Sequence, residues 1–262
     1  MLRKCGEEDR ERLKEFLNEK PVYHTFLISD LDKYGFDKDF QTIYMQEEEG
    51  RCGRCIGVFL KYFYNLIVAG EDQELDHEAV SRLADDKITT IMGNAEVVQN
   101  VANRVGRRQR MTYNNLYIHE ETERQEPADN KVRFADLDDV GRIYEFLMGF
   151  PEMKNLYSEK KMIENRISNM EGVHAIIEKQ GRIVAHGNSA ASAELTCMLG
   201  GICVGEGYRG RGYAKDIIRT LCREIHSQGK IPCMFAPENN PYTIFSELGF
   251  KIYGRWGVAQ LI

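Results

Sequence analysis

The chain has 262 residues, 42% hydrophobic and 29% charged, enough to bury one large core or two modest ones. Its net charge of −6 argues against bulk nucleic-acid binding. No apolar run approaches the ~20 residues needed to cross a bilayer, so no membrane association is expected. The opening residues, MLRKCGEEDRERLKEF, are charged and lack an apolar stretch. No secretory signal is visible there, and a cytoplasmic location is expected. Seven cysteines, an odd number spread over both halves, suit a reducing compartment better than a disulfide framework.

In chain order, the first predicted element is an amphipathic helix over Asp9–Leu17, with an acidic N-cap candidate and an apolar stripe. A hairpin turn follows near Gly53-Arg54-Cys55-Ile56-Gly57, and KYFYNLIVAG reads as strand. Cys52-Gly53-Arg54-Cys55 has the CxxC spacing of zinc or redox sites. It has no second pair and no neighbouring histidine pair, so two ordinary thiols are the better reading. The six histidines show no ligand spacing either, and no metal is expected.

The polar, acidic segment HEETERQEPADNK, interrupted by Pro127, reads as a linker and divides the chain into residues 1–126 and 127–262. Beyond it come a strand near Val132, a helix from about Asp138 and a second helix over roughly Ser158–Met170. Val173–Glu178 and Arg182–Gly187 form a hairpin around Gln180-Gly181. The run LTCMLGGICVG is strand-like and stops at a glycine-rich loop. Ile217, Ile218, Leu221 and Ile225 then make a helical stripe that Gly229 ends. Ile231–Ala236 reads as a buried strand, Pro241–Glu247 as a short helix ended by Gly249, and Phe250–Ile262 as the strand completing this sheet.

The two halves resemble each other. Asp9, Arg12, Glu15, Phe16 and Leu17 recur as Asp139, Arg142, Glu145, Phe146 and Leu147, and Pro21 recurs as Pro151. An offset of 130 residues, close to half the chain, points to duplication. Charge has diverged between the copies. Residues 1–130 carry 18 Lys/Arg and 26 Asp/Glu, whereas residues 131–262 carry 17 and 15, so an anionic ligand is expected in the second half.

The loop GEGYRGRGYA, Gly205–Ala214, fits two phosphate-binding patterns. Gly205–Gly210 matches GxGxxG, but a dinucleotide fold places that loop after the first strand of a βαβ unit, with an acidic residue at the next strand tip. Here antiparallel strands precede the loop, and Glu224 lies within the predicted helix. A Walker A loop would need Lys and Ser/Thr where Arg211 and Gly212 stand. Arg209–Ala214 instead matches (R/Q)xxGx(G/A). Its glycines let backbone N–H groups turn inward, a helix N-terminus follows, and Arg209 and Arg211 add positive charge. That combination suits a pyrophosphate.

On these residues the second half resembles the GNAT N-acetyltransferase superfamily. LGGICVGEGYRGRGYAKDIIRTL is similar to its acetyl-CoA motif, and PENNPYTIFSELGF to the motif that follows it. Extended to the first half by the repeat, the resemblance implies an α/β (α+β) chain. It would hold two GNAT-like acyl-CoA N-acyltransferase folds in tandem, each a mixed, mostly antiparallel sheet flanked by helices. The first would be degenerate and the second catalytic. The implied function is acetyl transfer from acetyl-CoA to a small-molecule or peptide amine, by direct attack in a ternary complex. A non-catalytic acyl-CoA-binding or scaffolding module is the alternative.

Residue by residue, the resemblance implies that Ile202, Cys203 and Val204 lie along the pantetheine arm. Arg209, Gly210, Arg211, Gly212, Tyr213 and Ala214 would hold the pyrophosphate, and Asn240 would meet the pantetheine. Phe245 stands where many members carry a tyrosine that protonates the leaving thiolate, and Met198 stands where one branch carries a glutamate base. Tyr242 and Tyr253 are substitute acids, and Glu194 and His186 are candidates for a base acting through water.

Overall fold

The computed structural model describes residues 1–36, 38–48, 54–120, 130–154, 157, 159–239 and 243–262. The expectations placed on Cys52, Gly53, Asn240 and Tyr242 fall outside these residues. The chain forms two compact units. One comprises Met1–Tyr117, Phe235–Pro241 and Ile252–Ile262, and the other Ile118–Met234 and Tyr242–Lys251.

The chain opens with β1 (Leu2–Lys4), α1 (Arg10–Asn18), α2 (Pro21–Tyr34), β2 (Gln41–Glu47), β3 (Cys55–Tyr62) and β4 (Asn65–Gly70). It continues with α3 (His77–Ser81), β5 (Thr90–Asn94), α4 (Ala95–Ala102) and β6 (Gln109–His119). The later elements are β7 (Val132–Phe134), α5 (Val140–Met148), α6 (Pro151–Lys154), α7 (Lys160–Ser168), β8 (His174–Lys179) and β9 (Arg182–Ser192). They end with β10 (Thr196–Val204), α8 (Tyr213–Ser227), β11 (Ile231–Pro237), α9 (Ile244–Glu247) and β12 (Phe250–Leu261).

In the first unit β1, β2, β3 and β4 pair antiparallel in sequence order, and β4 pairs parallel with β5. In the second, β7, β8, β9 and β10 pair antiparallel in order, and β10 pairs parallel with β11. The two units therefore share one strand plan, with a single parallel pair at the same place. The fold is α/β with mixed, mostly antiparallel strands flanked by helices.

The duplication extends to side chains. Asp9 is buried at the start of α1, accepts from Gly6 N at 3.0 Å and pairs with Arg3 at 2.6 Å. Arg3 and Arg12 also reach Glu47, at 3.2 and 2.9 Å. In the second unit Asp139 is buried, accepts from Asp136 N at 3.1 Å and pairs with Arg133 at 2.6 Å. Arg133 reaches Glu178 at 2.7 Å, and Arg142 contacts both Asp139 and Glu178. Each carboxylate closes the 3₁₀ turn that leads into the helix and ties it to the arginine of the neighbouring strand. Hydrogen bonds from Arg3 and Arg133 hold Asp9 and Asp139 below the usual carboxylate range.

Each unit has its own core. Phe59, Leu66, Val68, Val80, Ile91 and Val98 lie together in the first, and Val140, Ile143, Leu147, Ile163, Ile176 and Cys203 in the second. One strand departs from expectation. The sequence pattern places Phe250–Ile262 in the second sheet, but Trp256–Gln260 pair antiparallel with β5. Ala259 and Leu261 accordingly pack in the first core. Alternating apolar residues specify a strand, but its partner edge is a non-local choice. The second long helix is also shorter than expected, with α7 ending at Ser168 and α6 preceding it.

Candidate functional site

β10 is where the second unit departs from a regular sheet. It shares register with β11 only over Thr196–Met198. Against β9 it pairs Leu199 with Ser189 and Gly200 with Asn188, shifts, and resumes at Cys203 with His186. The bulge is formed by Gly201 and Ile202, and Gly201 has φ +58°. A Cβ there would come within 2.8 Å of the Tyr157 hydroxyl, so a side chain has no room.

Val204 runs directly into the loop. Gly205 N donates to Val184 O at 2.9 Å, a short 3₁₀ turn covers Glu206–Tyr208, and α8 begins at Tyr213. Gly210 and Gly212 have φ +74° and +79°, the left-handed region that only glycine enters at little cost. A Cβ placed at Gly207, Gly210 or Gly212 would meet nothing within 4 Å. The loop thus presents backbone to open space at the N-terminus of a 15-residue helix, where an anion gains ~0.3–1 kcal/mol from the helix dipole. Arg209 and Arg211 are exposed, anchored to Val204 O at 3.3 Å and Gly207 O at 3.2 Å.

The loop is fastened from beneath by residues that sequence reasoning did not select. Asn130 donates through its backbone N and its Nδ2 to the Asp216 carboxylate, at 3.0 and 2.7 Å. Asp216 is buried in the first turn of α8. Gly187 was not selected either. Its missing Cβ leaves room for Ile217, whose Cγ2 would lie 2.5 Å away, so α8 seats closely on β9. Ile217, Ile218, Leu221 and Ile225 are buried, as the stripe in the sequence requires.

The family model described as "Acetyltransferase (GNAT) family" matches residues 138–250. Those residues form a GNAT domain. Comparison with curated proteins gives no match. Among solved structures, the chain is similar to a GCN5-related N-acetyltransferase-like protein from Streptococcus suis. That match has 15% identity and a TM-score of 0.63, and covers 97% of this chain and 99% of the other. It is similar to an acetyltransferase from the GNAT family of Colwellia psychrerythraea, with 14% identity, a TM-score of 0.58 and complete coverage of both chains. A tandem GNAT protein from the clavulanic acid biosynthesis pathway matches at 11% identity and a TM-score of 0.60, covering 100% of this chain and 98% of that one. At these identities the likeness is one of fold.

Within the GNAT domain, Ile202–Val204 and Arg209–Ala214 are brought together as one strand–loop–helix. The Tyr213 ring is buried, 6.4 Å from that of Tyr208. Cys203 points into the core beside Val140 and Ile143, and burial pushes its thiol up to about 12. A neutral, buried thiol is no nucleophile at neutral pH.

The acid–base candidates scatter. Glu194 is exposed in the β9–β10 turn, at the opposite end of β10 from the loop. His186 is completely buried, and desolvation pushes it down to about 4. Its Nδ1 lies 2.8 Å from Gly201 O and its Nε2 lies 2.9 Å from His174, which leaves no nitrogen for a substrate proton. Tyr253 belongs to the first unit, where its ring lies 5.5 Å from Tyr23. Phe245 is half-buried on α9, with its ring 6.2 Å from Phe250. Phe245→Tyr is therefore expected to fold normally and to keep or raise turnover, since a well-placed proton donor contributes ~10²–10⁴-fold. A large loss of kcat in that variant, measured with acetyl-CoA and an accepted amine, would show that Phe245 is wanted for its packing.

The first unit has a different ending to its corresponding strand. β4 stops at Gly70 and is followed by Glu71, Asp72, Glu74 and Asp76. The counterpart of α8 is the five-residue α3. A cavity of about 350 Å³ at this strand end is lined by Glu15, Glu19, Glu71 and Glu74 together with Arg12, Lys20 and Arg54. Glu71, Asp72, Glu74 and Asp76 stand where the second unit offers glycine N–H groups and arginines. Among the described residues no group of side chains is arranged to hold a metal ion, and no helix is long and apolar enough to cross a membrane.

Proposed function

We propose that the chain is an N-acetyltransferase that moves an acetyl group from acetyl-CoA to an amine, with residues 127–262 supplying the catalytic GNAT fold and residues 1–126 a degenerate copy. The observation that carries this reading is the Gly205–Gly212 loop, open backbone at the start of a long helix directly after a bulged strand. The loop N–H groups, Arg209 and Arg211 suit the pyrophosphate. The backbone of Ile202–Val204 suits the pantetheine amides, and a backbone N–H of this strand beside the thioester suits the charge that develops on its oxygen.

The reaction is direct attack. A neutral amine nitrogen bonds to the thioester carbon, the C–S bond breaks, coenzyme A leaves as thiolate, and the amine proton passes to water. A thiol of ordinary pKa, ~8.5, leaves without an enzymatic acid, which suits Phe245 at that place. The acceptor is a small-molecule or peptide amine in the cytoplasm. A second reading, a non-catalytic acyl-CoA-binding module, is favoured by Phe245 and by the burial of His186.

One titration and one assay separate these readings. Calorimetry with acetyl-CoA is expected to give one site per chain. The carboxylates after β4 repel a second pyrophosphate. A stoichiometry near two would overturn the degenerate role of the first half. Thiol release from acetyl-CoA in the presence of an amine panel supports the transferase, and binding without release from any amine supports the binding module. Absence of binding at millimolar acetyl-CoA would remove both.

A further inference from the structure

Beneath the bulge of β10 lies a buried polar cluster that the transfer reaction does not use directly. His174, His186 and Asn188 are at most 1% exposed, on the face of β8 and β9 that also carries Ile176 of the second core. Groups this deeply buried are costly unless every polar atom has a task.

The hydrogen bonds fix the protons. Gly201 O can only accept, so His186 Nδ1 carries the hydrogen across the 2.8 Å contact. Neutral His186 then has a lone pair on Nε2, and His174 Nδ1 must donate to it across 2.9 Å. His174 ends the chain, with Nε2 buried and without a hydrogen-bond partner. Asn188 does the equivalent for the preceding residue. With its amide turned to satisfy its neighbours, Nδ2 donates to Gly200 O at 2.7 Å. Its oxygen accepts from the Tyr157 hydroxyl at 2.9 Å and from Arg166 at 2.5 Å.

Two successive carbonyls, Gly200 and Gly201, are thus held towards side chains of β9. In a regular strand they would alternate; the left-handed φ of Gly201 and the register shift beside it break that alternation. Trans peptide planarity settles the other end of each unit. With those carbonyls held by Asn188 and His186, the N–H groups of Gly201 and Ile202 both point away from them. Neither residue has a register partner on β9 or on β11.

We propose that His186, backed by His174, and Asn188, backed by Tyr157 and Arg166, are positioning residues that clamp the bulge so that the Gly201 and Ile202 N–H groups form a preset pair of donors for the thioester oxygen. The role rests on the acetyl-transfer reading. It explains why a strand beside the loop carries imidazoles and an amide where a core would otherwise take leucine or valine.

The test pairs disruptive with conservative changes. His186→Leu and Asn188→Asp remove a donor, and each is expected to lower kcat by about 100-fold, the usual cost of an oxyanion donor, while the Kd for acetyl-CoA changes little. His186→Asn keeps an N–H where Nδ1 was and is expected to recover most of the loss. Turnover is read with whichever amine supports it, or as acetyl-CoA hydrolysis where none does. Unchanged kcat, or an Asn variant no better than the Leu variant, would overturn the clamp. So would equal loss of kcat and acetyl-CoA affinity, which marks a purely structural role.

If the variants do not fold, nitrogen NMR of the native protein decides. Both imidazoles should carry their proton on Nδ1, and acetyl-CoA should shift the Gly201 and Ile202 amides more than coenzyme A does. Protons on Nε2, or amides that respond equally to both ligands, would overturn the proposal. A native protein that binds no acetyl-CoA overturns the acetyl-transfer reading itself, and this role with it.

Discussion

Gly210→Val is expected to abolish the rise in Tm that acetyl-CoA gives the native protein. A ligand that binds only the folded state at 100 times its Kd adds ~2.7 kcal/mol, a shift of several degrees. Gly210 sits at φ +74°, and its Cβ position is open. A β-branched residue must therefore either leave the left-handed region or place its methyls where the phosphates approach. Either outcome keeps the anion from the loop N–H groups, and an affinity loss of at least about 100-fold is expected. Gly229→Val provides the control. Gly229 also has a left-handed φ, +72°, and an open Cβ position. It lies beyond the far end of α8, roughly 22 Å from the loop at 1.5 Å per residue. That variant should lose stability and keep the full acetyl-CoA shift. Normal binding by Gly210→Val would show that the loop is not the pyrophosphate site.

Stability is expected to fall below pH 6.5 on account of buried histidines. Part of the loss is offset by Asp30, which burial raises to about 7 and which takes up its proton in the folded chain first. His24 and His186 are buried, and desolvation pushes both down to about 4, while His174 is pushed down further by burial and by its neighbour His186. Above pH 6.5 these groups are neutral in the folded and unfolded chains alike, so their contribution is complete. As pH falls the unfolded chain takes up protons first, and stability is lost until the folded histidines also titrate near pH 4. At pH 4 this amounts to ~3 kcal/mol for each of His24 and His186. Asp9 and Asp139, held low by their arginines, add their loss only below the ordinary carboxylate pKa of ~3.9. Denaturant midpoints between pH 7.5 and 4 measure the slope. His24→Asn keeps a donor for Leu17 O, which His24 Nδ1 meets at 2.9 Å, and removes the titration. It should flatten the curve by ~3 kcal/mol over that range. A His24→Asn curve parallel to the native one would mean that His24 is not held neutral.

Much of the second unit can be read from local pattern. The stripe Ile217, Ile218, Leu221 and Ile225 needs only a 3.6-residue period, and all four residues are buried. The loop is legible for the same reason, because Arg209–Ala214 is contiguous and the left-handed glycines and the helix start are local requirements. The duplication is legible because α1 and α5 keep the same residues at the same spacing, and Asp9 and Asp139 repeat the same bonds.

What the sequence could not disclose depends on which distant segments meet. His186 has the residue type of a general base, and only the pairing of β8, β9 and β10 shows both of its nitrogens engaged. Asn188 and Tyr157 carry no motif, and only strand pairing and packing bring them together beside Gly200 and Gly201. β12 has the alternation of an ordinary strand, yet its partner is β5. Periodicity and turn chemistry act over a few residues, so composition and spacing determined the elements, the repeat and the anion loop. Strand register and the burial of polar groups are set by pairing across long separations, and only the tertiary structure decided which imidazole and amide lie beside the bulge and which strand edge β12 takes.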